Sequence, residues 1–414
     1  MKKSRAIISI VTSDYFWEAT VLGNSLQEFE RESNFIVFVI DYDDRDPDYK
    51  TCGFQVLDAK ILNPEEWERF VFQYNGFAAC CALKPRALLY VLSHYEKAIY
   101  LDCDIKLFQP LEEGWKALDD APLSLTPHNL HPIENYSFLP SYLSHAHIRL
   151  TGVFNAGYVG ASRLGIDFLN YWWEKVHYNF LIETMIAIYG DQFYLNDAVG
   201  LVRHLSVLQH PGYNVAIWNF LQRKVKKKNG VYFVDDRPLV CFHFACLHEK
   251  DLKKGTPLAN GMGDLFLELC DSYAQEQAIQ QAKFPPKKYR FKHFKDGVAV
   301  TADWREWMRR DIPELKNISD PFDLTLEERT VIEKIMQGRP KNFHPNKDRE
   351  INDWKNSFLI GMPTFYHLDA QIRNLESKLN HFERSFPHQF LCKSIAFVKM
   401  MIRKSFLKVF WKNI

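Results

Sequence analysis

Short apolar runs alternate with longer stretches whose apolar residues recur at helical spacing, from residue 5 to about residue 250. Arg5–Val11 and Phe35–Ile40 read as strands, Phe54–Leu57 as a short one, and Lys97–Leu101 as a buried strand of a parallel sheet. Between the first two, Phe16, Ala19, Leu22, Leu26 and Phe29 follow one face of a helix. Pro85 suits a first helical turn, so a helix is expected from there to Tyr95. Further on come an apolar segment at Val153–Gly160, a helix over Leu164–Ile182, and strands at Val231–Val234 and Leu239–Phe244. This alternation predicts an α/β fold, a Rossmann-like and mostly parallel sheet with helices on both faces.

The pattern changes after residue 250. The stretch 251–360 is polar, proline-bearing and richer in lysine, and reads as an accessory region with a boundary at Pro285-Pro286-Lys287-Lys288. Within 361–386, Phe365, Leu368, Ile372, Leu375, Leu379, Phe382 and Phe386 alternate steps of three and four. That is either a coiled-coil seam able to join two copies, or an amphipathic helix packed on its own domain. The tail, 387–414, carries Lys393, Lys399, Arg403, Lys404, Lys408 and Lys412 and no acid, beside the stripe Leu391, Ile395, Val398, Ile402, Phe406 and Val409. A basic amphipathic helix of this kind favours an anionic membrane surface, with a docking helix for another protein as the competitor. Together these segments predict a helical C-terminal extension behind a first domain at 1–250.

Composition narrows the class. With 414 residues, 47% hydrophobic and 25% charged, the chain is globular and too long for one ordinary domain. Lysine and arginine number 52 against 51 acids, a net +1 that argues against a nucleic-acid-binding protein. The 8 cysteines form no C-x-x-C pair and no zinc-ligand spacing, as expected of reduced thiols in the cytoplasm. Lys2, Lys3 and Arg5 precede an apolar run that stops at Thr12-Ser13-Asp14, too short for a signal-peptide core. No apolar stretch reaches the roughly 18 residues that a membrane span needs. A cytoplasmic protein is expected, peripheral on the inner face of the membrane if the tail binds there.

Candidate chemistry starts at Tyr100-Leu101-Asp102-Cys103-Asp104. If the strand continues, Asp102 and Asp104 point to one side, two hard oxygen ligands at the carboxyl end of a strand, where open α/β sheets bind ligands. Such a pair suits a divalent cation that holds a diphosphate, although D-x-D also marks ordinary turns. Phe154-Asn155-Ala156-Gly157 sets an amide beside a glycine, where backbone can approach a ligand closely. Asp191 and Gln192 follow Gly190 and serve either as a helix cap or in catalysis. His243, in Phe242-His243-Phe244, is either a satisfied core histidine or a nitrogen ligand that would favour manganese over magnesium. Residues 126–150 and His210-Pro211-Gly212-Tyr213-Asn214 are two further segments that could border a site.

Taken in order, these segments resemble the retaining nucleotide-sugar glycosyltransferases of family 8 and their bacterial lipopolysaccharide-synthesis relatives, which have the GT-A fold. The resemblance covers residues 5 to about 250. It implies that Val11, Thr12 and Tyr15 hold the uridine, with Tyr15 stacked on uracil. It implies that Lys84, in Leu83-Lys84-Pro85, contacts the sugar nucleotide, and that Asp102, Asp104 and His243 bind Mn2+ or Mg2+. Asn155 would face the donor sugar, and Asp191 and Gln192 would lie next to the anomeric carbon as the catalytic pair. The family commonly shows H-F-x-G and then a lysine on the diphosphate. Here Ala245-Cys246-Leu247-His248-Glu249-Lys250 lacks the glycine and brings Lys250 one residue late, leaving that contact to Lys250 or His248. The function implied is metal-dependent transfer of a hexose from a UDP-sugar to a glycan or lipid-linked acceptor, with retention. Two rivals remain: a non-catalytic sugar-nucleotide-binding scaffold on the membrane, and a sugar nucleotidyltransferase. The latter would need a glycine-rich loop after the first strand, and Val11–Glu18 contains no glycine.

Overall fold

Alternate residues of the buried strands face two different helical layers, and this places the cleft. The computed structural model describes residues 3–337 except 64–65, 132–136, 140–150, 180–181, 184–187, 246–255, 310–314 and 316. Eight strands matter most for the architecture: β1 (Lys3–Val11), β2 (Asn34–Val39), β3 (Gln55–Asp58), β4 (Tyr95–Leu101), β5 (Ile105–Leu107), β6 (Leu123–Pro127), β7 (Phe154–Ser162) and β8 (Ser206–Val207). All but β5 form a seven-stranded sheet in the order β8-β6-β7-β4-β1-β2-β3. Within it β7 runs antiparallel to both β4 and β6, while the remaining pairs are parallel. The expected α/β sheet with helices on both faces is present.

Helix α1 (Phe16–Phe29) covers one face, where Leu22 and Leu26 meet Ile7, Ile99 and Leu101. Helices α2 (Gly76–Leu92) and α3 (Ile166–Asn179) cover the other, where Ala82, Leu83 and Trp172 share a core with Ile8, Ile10 and Tyr100. The period of two along β1 and β4 assigns the residues to these two layers. Helix α2 does not begin at Pro85 as expected. It starts nine residues earlier, at Gly76, where the Asn75 side chain caps the amide of Ala78, and Pro85 lies inside the helix.

A smaller sheet lies at the carboxyl end of β4. In it β9 (Val215–Ala216) pairs with β10 (Cys241–His243), and β10 pairs antiparallel with β5, setting His243 opposite Ile105. The expected strand Val231–Val234 belongs to a separate antiparallel sheet with Val225–Lys228 and Arg237–Pro238, outside the main sheet. Its edge is polar, and positive φ at Asn229, Gly230, Asp235 and Asp236 makes two tight turns.

The stretch expected as an accessory region is described over much of its length, and its helices pack on those above. Helix α4 (Asp264–Lys283) lies on α1, with Thr20 donating to Gln280 at 3.1 Å. Helix α5 (Ala302–Arg309) carries buried Arg305, which donates to Phe72 O at 2.8 Å and Phe291 O at 2.7 Å. A guanidinium there satisfies carbonyls that the end of helix Trp67–Gln73 leaves unpaired. The described cysteines are unpaired thiols. No helix among the described residues is long and apolar enough to cross a membrane. The seam at 365–386 and the tail at 387–414 lie outside the described residues.

Candidate functional site

Reversal of β7 brings its first residues, Asn155 to Gly157, to the end of the sheet where β1 and β4 finish. A cleft of about 880 Å³ opens there. Val11, Thr12, Tyr15, Lys84, Asp102, Asp104, Asn155, Asp191, Gln192 and His243 all line it. Lys250 and His248 lie outside the described residues.

Asp102 and Asp104 do not continue an extended strand. Ile105 N donates to Asp102 O at 3.1 Å, which closes a tight turn over Cys103 and Asp104. The turn nevertheless brings the two carboxylates to one place, and the pairing of β10 with β5 delivers His243 to them. His243 Nε2 stands 3.0 Å from Asp104 Oδ1 and 3.8 Å from Asp102 Oδ2. Desolvation pushes the Asp104 carboxyl up, but the charge and hydrogen bond of His243, with a backbone hydrogen bond and the Lys84 charge, together hold it below its ordinary value. Burial likewise disfavours the imidazolium, and Asp104 with Asp102 more than compensates, raising His243. One ligand atom from each of Asp102, Asp104 and His243 lies within 4.8 Å of the others. Two hard oxygens and one imidazole nitrogen in that space fit a divalent cation.

Lys84, on α2, is buried beneath Tyr100, with its Nζ 4.9 Å from the ring centre. Its ammonium lies 3.1 Å from Asp102 Oδ1, 2.9 Å from Asp191 Oδ2 and 3.1 Å from Ala156 O. Desolvation opposes the charge, but the two aspartates hold it well above the ordinary lysine value. Tyr100 completes the contact by donating to Asp102 Oδ1 at 2.7 Å. Asp191 does stand at the start of a short 3-10 helix, Gln192–Asp197, but its side chain makes no capping bond and turns to Lys84 instead.

Gly157 makes room for a protein side chain. A Cβ at that position would stand 2.4 Å from His243 Cε1 and 2.6 Å from Nδ1, so the histidine ring rests directly on the backbone. Tyr15 is 53% exposed at the β1 end of the cleft, and its ring is 6.3 Å from that of Trp17.

Several lining residues escape the sequence reading. Glu18 is a buried carboxylate on α1, pushed up to about 7 by burial and by the charge of Asp104. Its signal was available, since it precedes Leu22 by one helical turn on the apolar stripe. His128 falls in one segment singled out above, and burial holds it at about 4, so it is neutral at neutral pH. Asn214, which does not line the cleft but bonds His243 from behind, falls in another, at φ +50, a conformation asparagine tolerates. Lys292, which pairs with Asp14 at 2.9 Å, comes from the accessory stretch and has no sequence signal.

No family model matches the chain. It is 30% identical to the uncharacterized protein YfnD of Bacillus subtilis (strain 168) over 173 residues, 40% of this chain and 52% of that protein. The chain thus spans about half the length of that relative. It is 22% identical to the uncharacterized protein YfnF of the same organism over 251 residues, 58% of this chain and 80% of that one. Among solved structures it is similar to galactosyltransferase LgtC in complex with donor and acceptor sugar analogs, at 14% identity and a TM-score of 0.40, covering 66% of this chain and 95% of that one. It is also similar to mouse xyloside xylosyltransferase 1, at 14% identity and a TM-score of 0.38, covering 59% and 98%. Glycosyltransferase GlyE of Streptococcus pneumoniae TIGR4, at 15% identity and 0.38, covers 71% and 67%.

Proposed function

We propose that this chain is a GT-A glycosyltransferase of the family 8 type, which moves a hexose from a UDP-sugar to a glycan or lipid-linked acceptor with retention. The observation that carries the reading is the meeting of Asp102, Asp104 and His243 around one point, with buried Lys84 alongside, in a large cleft at the carboxyl end of the sheet. Asp102, Asp104 and His243 would hold the divalent cation, of which manganese suits the mixed donors best. Bound there, the cation would neutralise charge on the leaving diphosphate.

The chain's own residues do the rest. Lys84 is charged and fixed by two aspartates, so it presents a preorganised positive group where diphosphate charge develops. Asp191 and Gln192 flank the reacting carbon and orient the donor sugar. Val11 and Thr12 form the wall for the nucleoside, and Tyr15 stacks on its base. Lys250 or His248 completes the diphosphate grip. The basic tail at 387–414 would keep the protein against an anionic membrane, near a lipid-linked acceptor. The lipopolysaccharide-synthesis type of the family fits that placement.

Thermal denaturation with UDP, with and without Mn2+, tests the reading on the wild type and on Asp104→Asn. A ligand at about 100 times its dissociation constant adds roughly 2.7 kcal/mol. The expected result is a manganese-dependent rise in midpoint that Asp104→Asn abolishes. No rise with UDP and Mn2+ would overturn the donor site.

A further inference from the structure

Behind His243 lies a hydrogen-bond chain whose direction is set by backbone groups, and its consequence deepens the donor-site reading on which it rests. A backbone N–H can only donate, and Gly157 N gives its hydrogen to Asn155 Oδ1 at 3.0 Å. That turns Asn155 Nδ2 toward His128 Nε2 at 3.3 Å and Gln192 Oε1 at 3.4 Å. Both can accept. His128 Nδ1 meets the carbonyl of Gly152 at 2.9 Å and so carries the hydrogen, leaving its Nε2 as a lone pair. Gln192 Oε1 also faces Ala156 N, at 3.5 Å.

Asn155 Oδ1 receives a second bond, from Asn214 Nδ2 at 2.9 Å, and the same amide nitrogen donates to Thr126 Oγ1 at 2.8 Å. With its nitrogen committed, Asn214 can offer only Oδ1 to His243 Nδ1, 3.1 Å away. His243 Nδ1 must therefore carry a hydrogen, and in the neutral imidazole that could bind a cation Nε2 is the lone-pair nitrogen, facing Asp102 and Asp104. The Trp218 ring, edge-on at 5.3 Å, and Gly157 confine the imidazole.

We propose that Asn214 is a positioning residue that fixes the His243 tautomer and so presents Nε2 to the cation site. Asn155 acts one step further back, by orienting Asn214, and its amide is committed to protein partners. Outer partners of this kind raise metal affinity because they select the ligating nitrogen and hold the ring in place.

The test is calorimetric titration of the full-length protein with MnCl2 alone, without nucleotide. Asn214→Gly removes the side chain without strain at φ +50 and should weaken Mn2+ binding by about 10- to 100-fold. Asn214→Asp keeps an acceptor for Nδ1–H but sets its second oxygen against Asn155 Oδ1, so it should bind Mn2+ more weakly than wild type and more tightly than Asn214→Gly. If Asn214→Gly does not fold, Asn214→Ser, whose hydroxyl is too short to reach Nδ1, replaces it against Asp. A Gly or Ser variant that binds Mn2+ as the wild type does overturns the proposal, and so does an Asp variant that loses as much as either. A wild type that binds no Mn2+, alone or with UDP, sinks the donor-site reading as well. Wild-type binding that Asn214 variants leave unchanged sinks only the role of Asn214.

Discussion

Asp104 and Glu18 line the same cleft close enough to feel each other's charge, yet they are pushed in opposite directions. Asp104, on the floor, faces His243 and is held below the ordinary carboxyl value. Glu18, on the α1 wall, has neutral hydrogen-bond partners among the described residues: Gln277 at 2.9 Å, Tyr273 at 3.4 Å and the Cys103 thiol at 3.8 Å. It is pushed up to about 7. Desolvation raises both, so the neighbouring charge decides: His243 for Asp104, and Asp104 itself for Glu18. The floor is a set of mutually compensating charges ready for a polyvalent ligand, and the wall is a neutral hydrogen-bonded layer.

The largest effect should come from breaking compensation on the floor. Lys84→Met leaves Asp102 and Asp191 without their shared cation and should cost about 3–5 kcal/mol, seen as a lower urea midpoint. A midpoint unchanged from wild type would mean that the floor is not held by charge pairing.

On the wall the sign reverses. The folded Glu18 carboxyl keeps its proton up to about 7, whereas an unfolded one loses it near 4.5. Between these values the folded state binds more protons, so stability falls as pH rises through that window. Above it the cost is on the order of 3 kcal/mol in the metal-free protein. Glu18→Gln should therefore stabilise the protein at pH 8, change little at pH 4, and flatten the profile between. A variant as pH-sensitive as wild type would place the wall's titration elsewhere.

A smaller effect should follow from Tyr100→Phe. It removes the 2.7 Å bond to Asp102, which is partly exposed, and should lower stability by about 1–2 kcal/mol in the same denaturation. A loss as large as that of Lys84→Met would mean that Tyr100, rather than the cation beside it, organises the floor.

The alternation of apolar runs with helical spacing was enough to indicate the α/β sheet, because strand and helix periods are local properties of the chain. The D-x-D at the end of β4 was legible for the same reason, as were the Asn155, Asp191 and His243 segments in their order. The start of α2 departs from the expectation because a proline suited to a first helical turn can also lie inside a helix, and the Asn75 cap sets the start nine residues earlier. Turn geometry at Asp102–Ile105 was also hidden, since an apolar run carries no mark of where the extended backbone stops.

The sequence by itself determined the layers, the strand ends and the kinds of ligand atoms available, through periodicity and side-chain chemistry. Tertiary structure alone decided that β7 runs against its neighbours, that β10 pairs with β5 to seat His243 on Asp104, and that Glu18 has neutral partners while Lys84 has two charged ones. Those outcomes join segments far apart in the chain. Their energies come from packing and electrostatics summed over the whole fold, so no local pattern can record them.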